Sequence, residues 1–560
     1  MRSSFTTFNL CLCMIVISCA PQEQPGTGSM TLAVVNAKIW TGDDSQPWAE
    51  ALAANGEQIV AVGSNDQIRK LGEAPRLIDA GGRLLVPGFI DSHVHFISGG
   101  FGLASVQLRD AKTPEEFSAR IGDFATTVPA GTWITGGDWD HELWGGDLPQ
   151  RDWIDEVTPD HPVFVSRLDG HMALANSAAM RAAGVDRAVE DVSGGTIVRN
   201  EDGAPTGIFK DNAMERISAA IPDPAPEQKD RALDAAMQYV NRQGVTSIHH
   251  VGSWDHLDTF TRAWKEGRLT TRVYAAVPLD SWERLRDTIA GGSYGSEGRG
   301  DDWLRIGGLK GFVDGSIGSH TAAFHEPFDD APEDTGLYVN TPEDLYVWAS
   351  AADKAGMHLI IHAIGDRANN MLLDIYERVS KENGERDRRF RIEHAQHLAP
   401  PDIARFAALG VIPSMQPYHA IDDGRWVEKV IGPERIKGTY AFRSLLDAKA
   451  RLAFGSDWSV APPTPLEGIY AAVTRRTLDG KNPDGWVPEQ KITLEEALRA
   501  YTRTAAYASF EEDRKGALTV GRLADFVLLS QDLFSIPPEE IRDVDVEMTV
   551  VGGDVVYEKE

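Results

Sequence analysis

The sequence predicts an α/β protein that contains a (β/α)₈ TIM-like barrel and a small β-sandwich domain built from both chain ends. Short apolar strand-like runs alternate with helical stretches through the middle of the chain, which is typical of parallel βα units. Brief β-like runs cut by Gly, Asn and Asp lie near both ends. The length of 560 residues exceeds one small domain and suits a barrel with an accessory unit.

The composition narrows the function class. Hydrophobic residues make up 42% of the chain and charged residues 25%, which is enough to bury a large core. The formal net charge is −29. Because a nucleic-acid binder needs a basic face, this charge argues against a nucleic-acid partner. A small-molecule substrate is the expected partner.

All three cysteines lie within the first 19 residues: Cys11, Cys13 and Cys19. The rest of the chain therefore has no disulfide, no cysteine-ligated metal and no thiol nucleophile. Residues 1–19 have a charged start and a short apolar run, which predicts a signal peptide. Residues 20–30, with their Pro and Gly, predict a tether.

The residues before Cys19 resemble a bacterial lipobox. This resemblance implies a lipid anchor on Cys19 and a place in the bacterial cell envelope, facing the periplasm or the exterior. An ordinary cleaved signal peptide, which would give a soluble periplasmic or secreted protein, is the alternative. No later stretch is long and apolar enough to cross a membrane, so the anchor is the expected membrane contact.

Two groups of strands at opposite ends of the chain predict one small β-sandwich made of residues 31–85 and 515–560. Each group lacks partners nearby in sequence, so pairing between them is the simplest solution. A Gly-Gly turn separates the last two runs. The predicted strands are 32–40, 58–63, 83–86, 525–529, 546–551 and 552–557.

The barrel is predicted over residues 86–514, with a large insertion at about 96–225. Eight is the number of strands that a closed barrel needs. Helical stretches at 226–242, 341–355 and 369–382 separate several of them. The eight predicted strands are 88–90, 245–248, 272–277, 304–310, 358–362, 390–394, 411–414 and 451–454.

Titratable residues fall at the carboxyl ends of these strands, where barrel active sites gather. His93 and His95 follow the first strand, and residues at i and i+2 of an extended backbone project to one side. Lys310, His362 and His394 end later strands, and Asp457 follows the eighth. Their shared position predicts one site.

Together the motifs make the chain resemble the amidohydrolase superfamily, within it the YtcJ-like and N-substituted formamide deformylase-like branch. At His320 relatives commonly carry Arg, so this chain departs from the pattern there. The motifs that carry the resemblance are VPGFIDSHVH at 86–95, Lys310, DGSIGSHTAA at 314–323, HAIGD at 362–366, EHAQ at 393–396 and GSD at 455–457.

The resemblance implies a site that binds one or two Zn²⁺ ions, with another divalent metal as the alternative. Imidazoles and carboxylates suit zinc, whereas a lysine ammonium has no lone pair to offer. The resemblance therefore implies that Lys310 is carbamylated and bridges two ions. An ion pair with Asp314 is the alternative for Lys310 and leaves a single-metal site open. The implied ligands are His93, His95, Lys310, His362, His394 and Asp457.

The predicted function is a metal-dependent hydrolase that cleaves an amide, N-formyl, N-acyl or cyclic amide C–N bond outside peptides. Bound metal activates a water, and Asp457 is the predicted catalytic base that returns the proton to the leaving nitrogen. A lactonase or deaminase on the same metal core is one alternative, since a fold does not choose the bond. A non-catalytic, ligand-binding lipoprotein is another.

Other residues are predicted to contact the substrate: His171, His320, Gln416 and His419. Four tryptophans in the insertion, at 133, 139, 144 and 153, fit packing within the insertion better than an aromatic pocket wall. His249 and His250 are additional metal-ligand candidates, but the set of six already fills a binuclear site. Many relatives are oligomeric, so a homo-oligomer is expected.

Overall fold

The computed structural model describes residues 30–295 and 298–560. The predicted signal peptide and residues 20–29 of the predicted tether lie outside these described residues. Within the described ranges, no helix has the length and apolar character that crossing a bilayer requires.

The first strands form parts of two different sheets. The run 32–40 was predicted as one strand, and this prediction is wrong: it breaks at Asn36, whose φ of 54° turns the chain between the sheets. Asn36 itself is the sequence signal for this break, because asparagine tolerates a positive φ better than most residues. The elements are β1 (Leu32–Val35), β2 (Lys38–Trp40), β3 (Trp48–Ala49), β4 (Ala51–Asn55), β5 (Gln58–Gly63), α1 (Asn65–Arg69), β6 (Arg76–Asp79) and β7 (Leu84–Pro87).

The first barrel strand is followed by an insertion with its own mixed sheet, in the order β13-β14-β12-β11-β10-β9. Its buried apolar residues form clusters separate from the barrel core. The elements are β8 (Phe89–Val94), α2 (Phe96–Gly102), β9 (Val106–Gln107), α3 (Pro114–Ala125), β10 (Ile134–Trp139), α4 (Asp152–Asp155), β11 (Val163–Arg167), β12 (Met172–Ala175), α5 (Ser177–Ala182), β13 (Gly195–Arg199), β14 (Pro205–Asp211) and α6 (Glu215–Ser218).

The remaining barrel strands alternate with helices, as predicted. All are parallel and follow the order of the chain. The strands are β15 (Val245–Val251), β16 (Arg272–Pro278), β17 (Leu304–Phe312), β18 (His358–Ala363), β19 (Arg391–His394), β20 (Ile412–Met415) and β21 (Ala453–Phe454).

The helices around the barrel begin where their sequence signals indicate. Thr341 precedes α10 and accepts a hydrogen bond from the backbone N–H of Asp344, which satisfies a free donor of the first turn. The helices are α7 (Pro226–Asn241), α8 (Trp254–Lys265), α9 (Trp282–Ala290), α10 (Pro342–Lys354), α11 (Asp366–Asn383), α12 (Pro400–Leu409), α13 (Pro417–Asp423), α14 (Val427–Arg435), α15 (Phe442–Asp447), α16 (Pro465–Thr474), α17 (Leu494–Ala500) and α18 (Arg503–Ala508).

The eight-stranded sheet curls until its first and last strands meet. A parallel bridge joins Val94 to Trp458, just beyond β21. The N–H of Asp457 donates to the carbonyl of His93 at 2.7 Å. These bonds nearly close the barrel, and they place the segment after the last strand directly beside the first strand.

Strands from both chain ends share one sheet, in the order β24-β23-β22-β7-β2-β3, where β22 (Phe526–Leu529), β23 (Val546–Val551) and β24 (Asp554–Glu558) come from the C-terminus. The strands β5, β4, β1 and β6 form a second sheet. Apolar side chains of both sheets, such as Val34 and Phe526, pack into one core. The predicted Gly-Gly turn joins β23 to β24, with positive φ at Gly552 and Gly553.

A buried ion pair connects this two-sheet unit to the barrel. Arg272 of β16 donates to both carboxylate oxygens of Asp525, at 2.8 Å and 3.1 Å. Trp303 packs over the guanidinium, 4.3 Å from it. A buried arginine of this kind needs such partners, because an unpaired charge in the interior is costly.

Candidate metal centre

The six residues predicted as ligands lie at the carboxyl ends of the barrel strands. His93 is on β8, Lys310 on β17, His362 on β18 and His394 on β19. Strands β17 and β18 run slightly past Lys310 and His362, whereas His95 and Asp457 follow the ends of β8 and β21. The structure brings these side chains into one buried cluster.

Asp457 lies at the centre of the cluster. Its Oδ1 is 3.4 Å from Nε2 of His93 and 3.3 Å from Nε2 of His95, and its Oδ2 is 4.0 Å from Nδ1 of His394. Burial opposes ionisation, yet the contacts with His93 and His95 lower the pKa of Asp457 to about 2. The side chain is therefore a carboxylate with nitrogen donors on two sides.

His93 is oriented by a carboxylate behind it. Its Nδ1 donates to Glu393, because a carboxylate can only accept. Arg391 holds Glu393 with two hydrogen bonds, at 2.8 Å and 3.0 Å, and both side chains are fully buried. The lone pair of His93 is thereby left on Nε2, which faces Asp457. A carboxylate that orients a ligating histidine is a recurrent feature of metal sites.

His394 and His362 are oriented in the same way. Nδ1 of His394 donates to the side-chain oxygen of Gln416 at 2.8 Å. Nε2 of His362 donates to the carbonyl of Gly315 at 3.1 Å. The two rings are 4.5 Å apart, centre to centre. Burial lowers the pKa of both imidazoles well below the ordinary value, so each is neutral and keeps one lone pair.

Lys310 lies beside His93, with its Nζ 3.4 Å from Nε2. Its aliphatic chain is buried, and the ammonium is over the ring of Phe312, 4.7 Å from the ring centre. Burial lowers the pKa of Lys310 to about 8. The amine of Lys310 therefore lies between the free ring nitrogen of His93 and the face of the Phe312 ring.

The alternative partner of Lys310, Asp314, is engaged elsewhere. Its carboxylate accepts backbone N–H groups from Ala323, Ile364 and Gly365, at 2.8 to 3.0 Å. Burial raises the pKa of Asp314 to about 7. Among the described residues no ion pair joins Asp314 to Lys310. The spacing of four residues implied contact, but β17 ends at Phe312 and the chain turns away before Asp314.

The four predicted substrate contacts have different positions. His171 and His419 line a cavity next to the cluster. Gln416 is buried behind His394 and orients that ring. His320 is outside the lining: it bonds to Asp330 at 2.9 Å and packs on Phe328. The side chain of His320 is 29% exposed, so the structure does not bring it to the site.

The cavity wall contains residues that the motifs did not single out. Arg167 and Asp169 come from the insertion, Ser316 follows β17, and Asp423 and Trp426 lie at or after the end of α13. Arg167 and Asp169 form a buried ion pair at 2.6 Å. The two adjacent acidic residues at the end of α13 are visible in the sequence, but only the fold shows that they line the cavity.

Two weaker hypotheses about the site are also resolved. Three of the four tryptophans, at 139, 144 and 153, pack around Phe117 inside the insertion, as expected. Trp133 lines a different cleft, between the insertion and the barrel. His249 bonds to Arg391 at 2.9 Å, and Nδ1 of His250 accepts the N–H of Phe96 at 3.1 Å. These contacts engage one ring nitrogen of each histidine away from the Asp457 cluster.

The donor set fits a metal ion. Two groups each hold three donor atoms within 4.8 Å of one another: His93, His95 and Asp457, and His394, His419 and Asp457. Asp457 Oδ1 is buried without a hydrogen-bond partner, and such an atom is costly unless a cation or donor meets it. Imidazole nitrogens with a carboxylate are donors that zinc accepts. His419, predicted as a substrate contact, is in the second group.

An α/β barrel with histidine and aspartate donors at the carboxyl ends of its strands has the arrangement of a metal-dependent barrel enzyme. The chain belongs to the amidohydrolase family, whose profile matches residues 76–557. The predicted superfamily and its YtcJ-like and N-substituted formamide deformylase-like branch are thus confirmed.

Relatives from plants, bacteria and archaea extend over nearly the whole chain. The protein LONG AFTER FAR-RED 3 of Arabidopsis thaliana is 42% identical over 94% of this chain and 91% of its own length. The N-substituted formamide deformylase of Arthrobacter pascens is 28% identical, covering 94% of this chain and 98% of its own. A metal-dependent hydrolase from Pyrococcus horikoshii has a TM-score of 0.73 at 27% identity, covering 90% of this chain and 99% of its own.

The contact between Glu393 and His93 predicts a metal-binding defect. In Glu393→Gln the neutral amide no longer neutralises Arg391, and its NH₂ group replaces one of the two oxygens that accept from Arg391 and His93, so we expect zinc affinity to fall about 10- to 100-fold. Competition with a zinc-binding dye measures this. The exposed Glu385 supplies the control, Glu385→Gln, which should bind zinc like the wild type. Unchanged affinity in Glu393→Gln would show that His93 does not need this partner.

Proposed function

We propose that the protein is a zinc-dependent hydrolase that cleaves a non-peptide C–N bond in a small amide: an N-formyl, N-acyl or cyclic amide. The observation that carries this proposal is Asp457, a buried carboxylate with an unpartnered oxygen among neutral imidazoles and beside a cavity. The family supports hydrolysis. The name of the Arthrobacter relative, a formamide deformylase, supports the C–N bond.

The proposed ligands of one or two zinc ions are the clustered side chains. When bound, a divalent ion lowers the pKa of a water that it coordinates towards about 7 and polarises a carbonyl oxygen. The neutral histidines supply lone pairs without adding positive charge. The proposed set is His93, His95, Lys310, His362, His394 and Asp457, with His419 as a further donor.

The protein's own groups account for the proton transfers. Asp457 accepts a proton from the attacking water as the water oxygen bonds to the substrate carbonyl carbon. The C–N bond then breaks, and Asp457 returns the proton to the leaving nitrogen. His171 is beside the cavity, where Asp211 accepts from its Nδ1 at 2.6 Å. Burial lowers and Asp211 raises the pKa of His171, and the net shift is upward, so it suits donation to a substrate oxygen.

We also propose that Lys310 is carbamylated. The neutral amine would add to CO₂, forming one N–C bond, while one C=O electron pair moves to oxygen and a proton leaves the nitrogen. The product is an anion with two oxygens, which can bridge two cations. Burial beside His93 supports this, because a lysine there has no carboxylate partner within the described residues closer than 4 Å.

A lactonase or deaminase activity on the same metal core is the alternative, since both reactions use the same water and base. A lipoprotein that only binds a ligand is less well supported. A protein that only binds a ligand does not need a catalytic base among its metal-ligand candidates.

The site of action belongs to the proposal as well. We propose a lipid anchor at Cys19 and a location in the bacterial cell envelope, facing the periplasm or the exterior. Simple signal cleavage, giving a soluble secreted or periplasmic protein, is the alternative. A homo-oligomer in solution is proposed, and light scattering would measure it.

Asp457→Asn tests the catalytic role. Asparagine keeps the shape but cannot take the water's proton, so we expect kcat/KM to fall about 10²- to 10⁴-fold. The assay is hydrolysis of N-formyl, N-acyl, cyclic amide and lactone panels by the zinc-loaded protein. Asp447→Asn, at a residue that is 68% exposed, should retain full activity. Full activity in Asp457→Asn would remove its role as base, and turnover of lactones alone would favour the alternative.

Lys310→Ala tests the carbamate. Without a bridging anion we expect the protein to bind fewer zinc ions, measured by elemental analysis after dialysis. Wild-type protein given labelled bicarbonate should also show a carbamate carbon resonance that the variant lacks. Lys437→Ala, on the surface, is the matched control. Wild-type zinc content in Lys310→Ala would eliminate the bridge.

Cys19→Ser tests the anchor. In a bacterial host, the wild-type protein should partition with membranes and carry acyl chains on Cys19 in mass spectra, because two or more chains hold a protein stably. The serine variant should be released in soluble form. A wild-type protein found soluble, with Cys19 absent or unmodified, would favour ordinary signal cleavage.

A further inference from the structure

Helix α13 presents two polar side chains to the cavity. His419 and Asp423 are four residues apart, so they lie on the same face of the helix, about 6 Å apart along its axis. Both line the cavity. The ring of His419 stacks on His394 at the metal centre, 6.5 Å between centres. Asp423 therefore marks the part of the cavity one helical turn further from the metal ligands.

Only one oxygen of Asp423 has a partner. Its Oδ2 accepts from the hydroxyl of Tyr440 at 2.5 Å and from the side-chain N–H of Gln396 at 2.8 Å. Its Oδ1 accepts no hydrogen bond from any described residue. Tyr440 and Gln396 thus fix the orientation of the carboxylate, while its second oxygen has unused lone pairs.

The nearby cations are engaged by other carboxylates. Arg167 pairs with Asp169 at 2.6 Å, and Arg425 donates to Asp140 at 2.9 Å and to Asp422. Within the described residues, no cation lies within 4 Å of Asp423. The cavity therefore contains a carboxylate whose charge the protein does not neutralise by contact.

Such a carboxylate needs a partner in the bound state. Burial, only partly offset by Tyr440, raises the pKa of Asp423 to about 7. Asp423 is part-buried, and its Oδ1 is available to accept a hydrogen bond from a ligand in the cavity. A second atom in the cavity also lacks a partner: Nε2 of His419, which is buried. His419 is one of the proposed metal donors, so the oxygen available to a ligand further along this face of α13 is Oδ1 of Asp423.

We infer that the substrate carries a cationic nitrogen, an ammonium group, which donates to Asp423 Oδ1 at a position about 6 Å along α13 from His419. The amide end of the same molecule lies at the metal centre, so the inference rests on the proposed function. Asp423 is then a specificity residue. The recognised class is an N-acylated amine with a second, basic amine a few carbons away.

Three probes of matched size test this inference: N-(aminobutyl)acetamide, N-pentylacetamide and acetamidopentanoate, which are cationic, neutral and anionic. Binding is measured by calorimetry in an Asp457→Asn background, which prevents turnover, and the zinc content of each preparation is measured first and matched between the variants compared. We expect the cationic probe to bind about 10- to 100-fold tighter than the neutral one, the range of a charged hydrogen bond. The anionic probe should bind weakest.

Asp423→Asn in the same background keeps the shape and the contacts with Tyr440 and Gln396, and it should abolish this preference. Asp423→Glu should restore part of it. Zinc content and thermal unfolding confirm that each variant is folded. Equal binding of the three probes, binding of none, or a preference that persists in Asp423→Asn would overturn the inference.

The wild-type protein separates this inference from the proposed function. If the three probes bind in the expected order of affinity but no amide is hydrolysed, the proposed function is refuted and Asp423 remains a binding residue. Hydrolysis with a preference for the neutral or anionic probe would refute the inference and leave the function standing.

Discussion

The site depends on the seam where the first and last barrel strands meet. The N–H of Asp457 donates to the carbonyl of His93, and Val94 pairs with Trp458. Beneath them, Asp91 Oδ1 accepts the N–H of Ser456 at 2.8 Å. Backbone bonds thus hold together residues that are more than three hundred positions apart, so the carboxylate of Asp457 reaches both histidines without relying on flexible side chains. The contacts that close the barrel therefore also bring Asp457 to His93 and His95.

A polar layer in the barrel interior supports that seam. Arg391 bonds to Glu393, to His249 and to Ser414, which lie on three different strands. Arginine suits this place because its planar fork can serve several acceptors at once. Burying the charges of Arg391 and Glu393 has a desolvation cost, and the same network fixes the tautomer of His93. The layer explains why polar residues fill a barrel interior that apolar side chains could pack.

The sequence was sufficient for the barrel because each strand is an apolar run between helical stretches, and the predicted donors lie where those runs end. Strand boundaries moved by a few residues at most, as at Lys310, which is followed by two more strand residues. The break at Asn36 was missed because a single polar residue with positive φ separates two short apolar runs, which were predicted as one strand. The structure places His320 outside the cavity lining because its loop turns it towards Asp330, and no local pattern fixes that direction.

Several residues of the cavity wall, among them Arg167, Asp169 and Asp423, could not be predicted in the same way, because they come from the insertion and from α13, and only the fold brings them to the strand ends. Within the family, the cavity wall can therefore vary separately from the strand-end ligands. Substitutions in α13 or around Arg167 can change which molecule fits while leaving the strands and their ligands intact. The barrel strands therefore determine which metal donors are present, and the cavity wall determines which molecules can reach them. Within that wall, Oδ1 of Asp423 can accept a hydrogen bond from a substrate, because no described residue donates one to it.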